Sequence, residues 1–124
     1  MAIETILLVE DDPTVLQVTA RMLRQYGYIV LEASDGQDAL QLATQPPATK
    51  PDLLLTDVVM PRLGGEQLAV RLRQQYPALK VIFISGYTQE AKSKEHSLDI
   101  GAPLLPKPFS MATLTELVRA VLDA

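Results

Sequence analysis

The sequence predicts an α/β fold in which a parallel sheet is covered by helices on both faces. Short apolar runs and amphipathic segments alternate five times along the 124 residues, and this alternation is typical of βα units. The runs are apolar throughout, as expected of strands that are buried on both faces. The length suits a single core, so we expect one domain over residues 1–124.

The first unit is a predicted strand over residues 3–9 followed by a helix. Asp12 and Pro13 predict the start of this helix, because aspartate is a favoured N-cap and proline suits the first helical position. Gly27 predicts its end. The second unit begins with a β-rich strand over residues 28–31.

The second helix is predicted from a capping box. Ser34 is the expected N-cap, and Gln37 is placed to bond back to it. The proline-rich residues 46–51 predict a loop. A third strand follows over residues 53–55, and the chain then reaches a single carboxylate, Asp57.

The third helix is expected after Gly64 and Gly65 and ends before Pro77. Residues 80–84 are apolar and predict a fourth strand. The following residues 88–98 are polar and only weakly amphipathic, and they predict a fourth helix.

A fifth strand is predicted over residues 102–105, and the proline inside it suits an edge position. Ser110 is the expected N-cap of the last helix. Its apolar residues recur at helical spacing. They are Leu114, Leu117, Val118, Val121 and Leu122.

Composition and charge exclude several classes of function. A net charge of −4 and a pI of about 4.9 argue against sequence-independent binding to nucleic acid, which needs a basic face. The absence of cysteine excludes disulfides and cysteine-ligated zinc, and the single histidine, His96, is expected to be a solvated surface residue. There is no signal-peptide pattern, and no apolar run approaches the ~18 residues of a membrane span. We therefore expect a cytoplasmic protein with no nucleic-acid or membrane partner.

Polar residues stand at four predicted strand ends. The carboxyl ends of parallel strands lie at one edge of a sheet, so we expect these side chains to lie close together. Carboxylates that repel one another favour a bound cation, and Mg²⁺ prefers a few carboxylates with water and phosphate oxygens. Capping and turn formation would explain any one of these residues, but less readily the whole set. The residues are Glu10, Asp11, Asp57, Ser85 and Lys107.

Asp57 is the candidate nucleophile of this set. An aspartate beside a metal and a lysine fits phosphoryl transfer to a carboxylate, which forms an aspartyl phosphate. Lys107, Ser85 and the metal would share the charge of the transferred oxygens.

In order and spacing these motifs resemble the receiver domains of two-component signalling, over the whole chain. Residues 6–13 resemble the acidic first loop of that family, residues 55–65 its phosphoacceptor strand and loop, and residues 107–109 its lysine motif. The resemblance implies a flavodoxin-like (βα)5 three-layer sandwich with a parallel five-stranded sheet of order 2-1-3-4-5. It also implies a cis bond between Lys107 and Pro108.

The resemblance further implies a function. Asp57 would take a phosphoryl group from the phosphohistidine of a histidine kinase or a histidine phosphotransfer domain, as in a phosphorelay, and the domain would then change its partner surface. Mg²⁺ would be bound by Asp11, Asp57 and the backbone carbonyl of Val59, with Glu10 acting through water. Such a domain is a regulatory phosphoacceptor and not an enzyme, since it assists only its own phosphorylation and dephosphorylation.

Some residues refine or depart from the pattern of the family. Residues 83–88 and 105–110 are most similar to receivers attached to hybrid histidine kinases. Leu104 stands where the family usually has an aromatic residue, and we interpret it as a core leucine. Val59 and Tyr87 flank the site where water would attack the phosphate, and neither can orient it with a carboxamide or carboxylate. We therefore expect slow self-dephosphorylation.

Other functions would require different residues at these positions. An aspartate-based phosphohydrolase needs a second acid two residues after the nucleophile, where Val59 stands. A nucleotide-binding protein would carry a glycine-rich phosphate loop, and none follows the first strand. A pseudo-receiver that serves only as an interaction scaffold remains the alternative. A homodimer through the last two helices is also left open.

Overall fold

The computed structural model describes residues 3–45, 49–60, 62–86 and 102–124. The helix predicted over residues 88–98, together with Tyr87 and His96, lies outside the described residues, as does part of the predicted loop at residues 46–48. Among the described residues, no helix has both the length and the apolar composition needed to cross a membrane. The described strands and helices are β1 (Thr5–Val9), α1 (Pro13–Gln25), β2 (Ile29–Ala33), α2 (Gly36–Thr44), β3 (Leu53–Asp57), α3 (Gly65–Gln75), β4 (Lys80–Ser85), β5 (Leu104–Pro106) and α4 (Met111–Asp123).

The strands form one parallel sheet with the order β2-β1-β3-β4-β5, which confirms the predicted topology. The fifth strand lies at an edge, as its proline content predicted, although it begins two residues later than expected, at Leu104. β3 is the central strand, and Asp57 at its end is in register with Ile84 of β4. The sheet therefore places this carboxylate in the middle of one edge.

Each face of the sheet carries its own apolar core, because neighbouring strand residues point to opposite faces. Leu7 of β1 belongs to a buried cluster with residues of α2 and α3. Leu8, the next residue, belongs to the cluster that contains residues of α1 and α4. Burying such a leucine contributes about 1.5–3 kcal/mol, so the apolar strands hold helices on both sides and produce three layers.

Two helix starts follow the sequence prediction. The side chain of Asp12 accepts the backbone N–H groups of Thr14 and Val15, and Pro13 is the first residue of α1. Ser110 caps α4 by accepting a backbone N–H of its first turn at 3.1 Å.

The predicted N-cap of α2 was wrong by one residue. Asp35, and not Ser34, caps this helix: its Oδ1 accepts the backbone N–H of Asp38 at 2.8 Å. The hydroxyl of Ser34 instead bonds to the carboxylate of Asp38 at 3.0 Å. A carboxylate is the stronger acceptor and is favoured by the positive end of the helix dipole, so the aspartate replaces the serine as the cap.

Candidate functional site

The end of β1 supplies two adjacent carboxylates in different environments. Glu10 is almost fully buried, with 1% exposure, and its backbone N–H donates to the carbonyl of Ala33 at 3.1 Å. Its Oε1 accepts the backbone N–H of Asp12 at 3.1 Å. Asp11 is exposed. The first carboxylate is therefore fixed by its surroundings, while the second faces solvent beside it.

Asp57 stands at the end of β3 and is only 6% exposed. The backbone around it is held on both sides, because Val58 N–H donates to the carbonyl of Ile84 at 3.0 Å and Gly65 N–H donates to the carbonyl of Val58 at 2.8 Å. A Cβ on Gly65 would lie 2.2 Å from the carbonyl oxygen of Asp57. The first residue of α3 must therefore be glycine for the helix to begin so close to the backbone of Asp57.

Lys107, the residue after β5, reaches the carboxylates. Its Nζ lies 2.8 Å from Oε2 of Glu10 and 3.2 Å from Oδ1 of Asp57. Its backbone N–H donates to the carbonyl of Ser85 at 2.8 Å, and its peptide bond to Pro108 is cis, as the resemblance implied. The lysine thus bridges two of the acids predicted for the site.

Ser85 ends β4 between these residues and is 3% exposed. Its Oγ is buried and has no hydrogen-bond partner within the described part of the chain. Leaving a buried hydroxyl unpaired is costly. A hydroxyl in this position is suited to donate to a ligand that enters the site.

The electrostatics of the site centre on Asp57. The pKa of Asp57 is raised to about 8. Burial is the largest cause, a hydrogen bond with Glu10 and repulsion from its charge contribute to the increase, and Lys107 opposes it. Burial also acts to raise the pKa of Glu10, but hydrogen bonds with Asp57, Lys107 and the backbone of Asp12 outweigh it and leave that pKa below its usual value. For Lys107, burial acts to lower the pKa, but the two carboxylates raise it overall. Of the two buried carboxyl groups, that of Asp57 therefore holds a proton more tightly than that of Glu10.

The acidic cluster has the composition of a cation site. Glu10, Asp11 and Asp57 each offer an oxygen, and these oxygens all lie within 4.8 Å of one another. Oxygen ligands of this kind suit a hard divalent cation. Val59, whose carbonyl was the predicted further ligand, lies two residues after Asp57, with a side chain that is 52% exposed.

Two features near the site were missed by sequence reasoning. An apolar groove of about 310 Å³ adjoins Lys107; the exposed Val18 of α1 could have signalled it. Arg62, in the loop after β3, is paired with Asp35, and nothing in the local pattern distinguishes it from an ordinary loop arginine. Leu104 packs against the core, as interpreted from the sequence.

Comparison with known proteins identifies the family. A family model described as the response regulator receiver domain matches residues 6–119. The chain belongs to this family. Solved receiver domains share the fold: one described as CheY-like, from Methanospirillum hungatei, has a TM-score of 0.86 at 27% identity and covers 98% of this chain and 95% of its own.

Relatives of this receiver domain include one within a hybrid kinase. Sensor kinase CckA of Brucella abortus is 38% identical over 119 residues, which are 96% of this chain but 12% of the kinase. The crystal structure of the receiver domain from hybrid histidine kinase CckA has a TM-score of 0.77 at 39% identity, covering 95% of this chain and 98% of that domain. The predicted similarity to hybrid-kinase receivers is thereby confirmed.

Another relative is a protein of similar length. Response regulator receiver protein CpdR of Brucella abortus is 34% identical over 119 residues, covering 96% of this chain and 97% of CpdR. The chain therefore spans a small part of one relative and nearly all of another. One of these relatives is named as a sensor kinase and the other as a response regulator receiver protein.

Proposed function

We propose that this receiver domain, over residues 1–124, accepts a phosphoryl group on Asp57 from the phosphohistidine of a histidine kinase or a histidine phosphotransfer domain. The observation that carries the proposal is the environment of Asp57. Its buried carboxylate has the ammonium of Lys107 at 3.2 Å. The neighbouring strand ends in Ser85, whose buried hydroxyl has no hydrogen-bond partner among the residues that the structure describes. A capping or turn role needs neither of these partners.

Mg²⁺ is the proposed cofactor, and the donor set fits it. Asp11 and Asp57 would bind it directly with the backbone carbonyl of Val59, and Glu10 would act through water. When bound, the ion supplies positive charge that lowers the pKa of Asp57 and neutralises the oxygens of the transferred group. The exposure of Asp11 leaves room for the water ligands that Mg²⁺ usually keeps.

The transfer is a displacement at phosphorus. An ionised oxygen of Asp57 attacks in line with the P–N bond of the phosphohistidine, and an O–P bond forms as the P–N bond breaks. The electron pair of the broken bond leaves with the donor imidazole, which carries a proton on its other nitrogen and departs neutral. Lys107 and Ser85 then donate hydrogen bonds to the phosphoryl oxygens, whose charge they stabilise during the reaction.

The same contacts provide a switch. The new phosphoryl group adds negative charge and three strong acceptors at the end of β3. These attract Lys107, which directly follows β5, and Ser85, which ends β4. Movement of Lys107 and Ser85 toward the phosphoryl group would shift the carboxyl ends of β5 and β4. This shift would change the surface that this side of the sheet presents to a partner.

The apolar groove supports docking of a histidine-bearing donor. It is lined by Val15, Val18 and Met22 of α1 and by Phe109, and it shares Lys107 with the acidic site. Val18 is 49% exposed. A donor helix seated in this groove would hold its phosphohistidine at the edge of the sheet where Asp57 lies.

The test is the intact mass of the protein after incubation with phosphoramidate, a donor with a P–N bond, in the presence and absence of Mg²⁺. We expect a metal-dependent gain of one phosphoryl group that is absent in Asp57→Asn. Asp52→Asn is the matched control, because Asp52 lies at the opposite end of β3 and should not affect the gain. No gain in a folded wild-type protein would favour the alternative function, an interaction scaffold without phosphotransfer.

A further inference from the structure

Arg62 has a backbone conformation that is unusual for its residue type. Its φ is 70°, and among the described residues it is the non-glycine residue with positive φ. The left-handed region is costly for a residue with a Cβ and persists where the surroundings enforce it. Arg62 lies in the loop between β3 and α3, which also contains Val59. The conformation of this loop therefore needs a source of restraint.

The side chain of Arg62 supplies that restraint through an ion pair with Asp35. Asp35 is 8% exposed and uses its two oxygens separately: Oδ1 caps α2, and Oδ2 accepts from the arginine. The hydrogen bond from the backbone of Asp38 and the contact with Arg62 hold the pKa of Asp35 below its usual value, against the effect of burial. One carboxylate thus joins the start of α2 to the loop after β3.

Backbone packing beside this pair restricts the loop further. Leu63 is 4% exposed, and a Cβ on Gly36 would lie 2.4 Å from the carbonyl oxygen of Leu63. Consecutive residues of the loop, Arg62 and Leu63, therefore contact consecutive residues at the start of α2, Asp35 and Gly36. The Arg62 side chain itself is 65% exposed, so it is the backbone packing of Leu63 on Gly36 that makes this junction more specific than an ion pair between two flexible surface side chains.

We propose that the Asp35–Arg62 pair positions the proposed metal site by holding the β3–α3 loop in the conformation that presents the carbonyl of Val59. The inference rests on the proposed function, because it assumes Mg²⁺ at the acidic cluster. Residues that orient metal ligands without touching the metal commonly affect its affinity. Arg62 and Asp35 are positioning residues in this sense.

The test is a titration of the ¹⁵N-labelled full chain with MgCl2, followed by NMR. Asp35→Asn keeps an N-cap oxygen, since asparagine caps as well as aspartate, but loses the charge that Arg62 needs. We expect Asp35→Asn and Arg62→Gln each to weaken Mg²⁺ binding by about fivefold, below the larger effects of groups that bond to a ligand directly. The double variant should lose no more Mg²⁺ affinity than either single variant does. Arg62→Lys, which keeps the positive charge, should bind Mg²⁺ more tightly than Arg62→Gln.

The matched control is Arg24→Gln. Arg24 also forms an exposed ion pair, with Glu32 at 2.6 Å, but neither residue belongs to the loop after β3. Its loss should leave the Mg²⁺ affinity unchanged. Arg62→Gly keeps the left-handed conformation accessible and removes the side chain, so it should weaken binding as Arg62→Gln does.

A second readout follows from the reciprocity of linked equilibria. If the pair couples the metal site to α2, Mg²⁺ should slow hydrogen exchange at the Asp38 amide in the wild type and not in Arg62→Gln. Unchanged Mg²⁺ affinity in both Asp35→Asn and Arg62→Gln, even with a lower melting temperature, would overturn the inference and leave the proposed function intact. Absence of Mg²⁺ binding by the wild type would overturn both.

Discussion

The ammonium nitrogen of Lys107 lies 3.2 Å from Oδ1 of Asp57. Asp57 ends β3 and Lys107 directly follows β5, and β4 runs between these two strands. The lysine side chain therefore crosses the end of β4, where Ser85 is buried. This contact brings a positive charge to the proposed nucleophile, and the lysine borders the site on the side of the edge strand β5.

Replacing Lys107 should slow phosphorylation of Asp57. Lys107→Met removes the charge that opposes protonation of Asp57 and that would stabilise the transferred oxygens. We expect a loss of about a hundredfold in the rate with phosphoramidate, the usual scale for one charge-stabilising donor, measured by intact mass over time. Lys80→Met is the control, since Lys80 lies at the other end of β4. There its Nζ donates a hydrogen bond to the carbonyl of Ala124. Equal rates for wild type and Lys107→Met would contradict the assigned role.

Without metal, the contribution of Asp57 to the free energy of unfolding should decrease as pH rises. Because the folded-state pKa of Asp57 is about 8, above the unfolded value of about 3.9, the folded state retains a proton that the unfolded state has lost. This stabilisation is complete below the unfolded pKa and disappears as pH rises through about 8. Urea unfolding in the presence of a chelator should show a decline in the wild type that Asp57→Asn lacks.

Saturating Mg²⁺ should remove this decline, because the metal and the proton compete for the same carboxylate. The apparent affinity for Mg²⁺ should accordingly increase with pH up to about 8. Parallel pH profiles for wild type and Asp57→Asn would show that Asp57 does not retain its proton.

The sequence was sufficient for the sheet and for the residues at its edge. The apolar runs of β1, β3 and β4 are buried strands. Glu10, Asp57 and Lys107 meet at the carboxyl ends of the strands, because the topology of a parallel sheet brings these ends together. The sequence was not sufficient where two neighbouring side chains could both cap the same helix. At the start of α2 the N-cap is Asp35 and not the predicted Ser34. The contact of Asp35 with Arg62 could not be read from local patterns either, because it joins residues 27 positions apart.

Gly65 should be intolerant of substitution. A Cβ there would lie 2.2 Å from the carbonyl oxygen of Asp57, a backbone atom that cannot move without shifting the end of β3. Gly65→Ala should destabilise the fold by about 1–3 kcal/mol and reduce phosphorylation of the protein that remains folded. Gly64→Ala is the control, since its Cβ would lie 3.3 Å from the carbonyl oxygen of Val58 and requires a smaller adjustment. Urea unfolding and intact mass would measure the two effects, and equal stability of the two variants would count against the close approach.

Val59 should set the lifetime of the phosphorylated protein. Its side chain is 52% exposed beside the acceptor and has no polar group with which to orient an attacking water. We expect Val59→Asn to accelerate hydrolysis of the aspartyl phosphate by roughly five- to tenfold, since one oriented hydrogen bond contributes about 1 kcal/mol. The decay of the phosphorylated mass after removal of the donor measures this rate. Val70→Asn makes the same change at a valine that is 48% exposed on α3 and should leave the lifetime unaltered. If Val59→Asn also leaves the lifetime unaltered, the residue at position 59 does not limit the rate at which water hydrolyses the aspartyl phosphate.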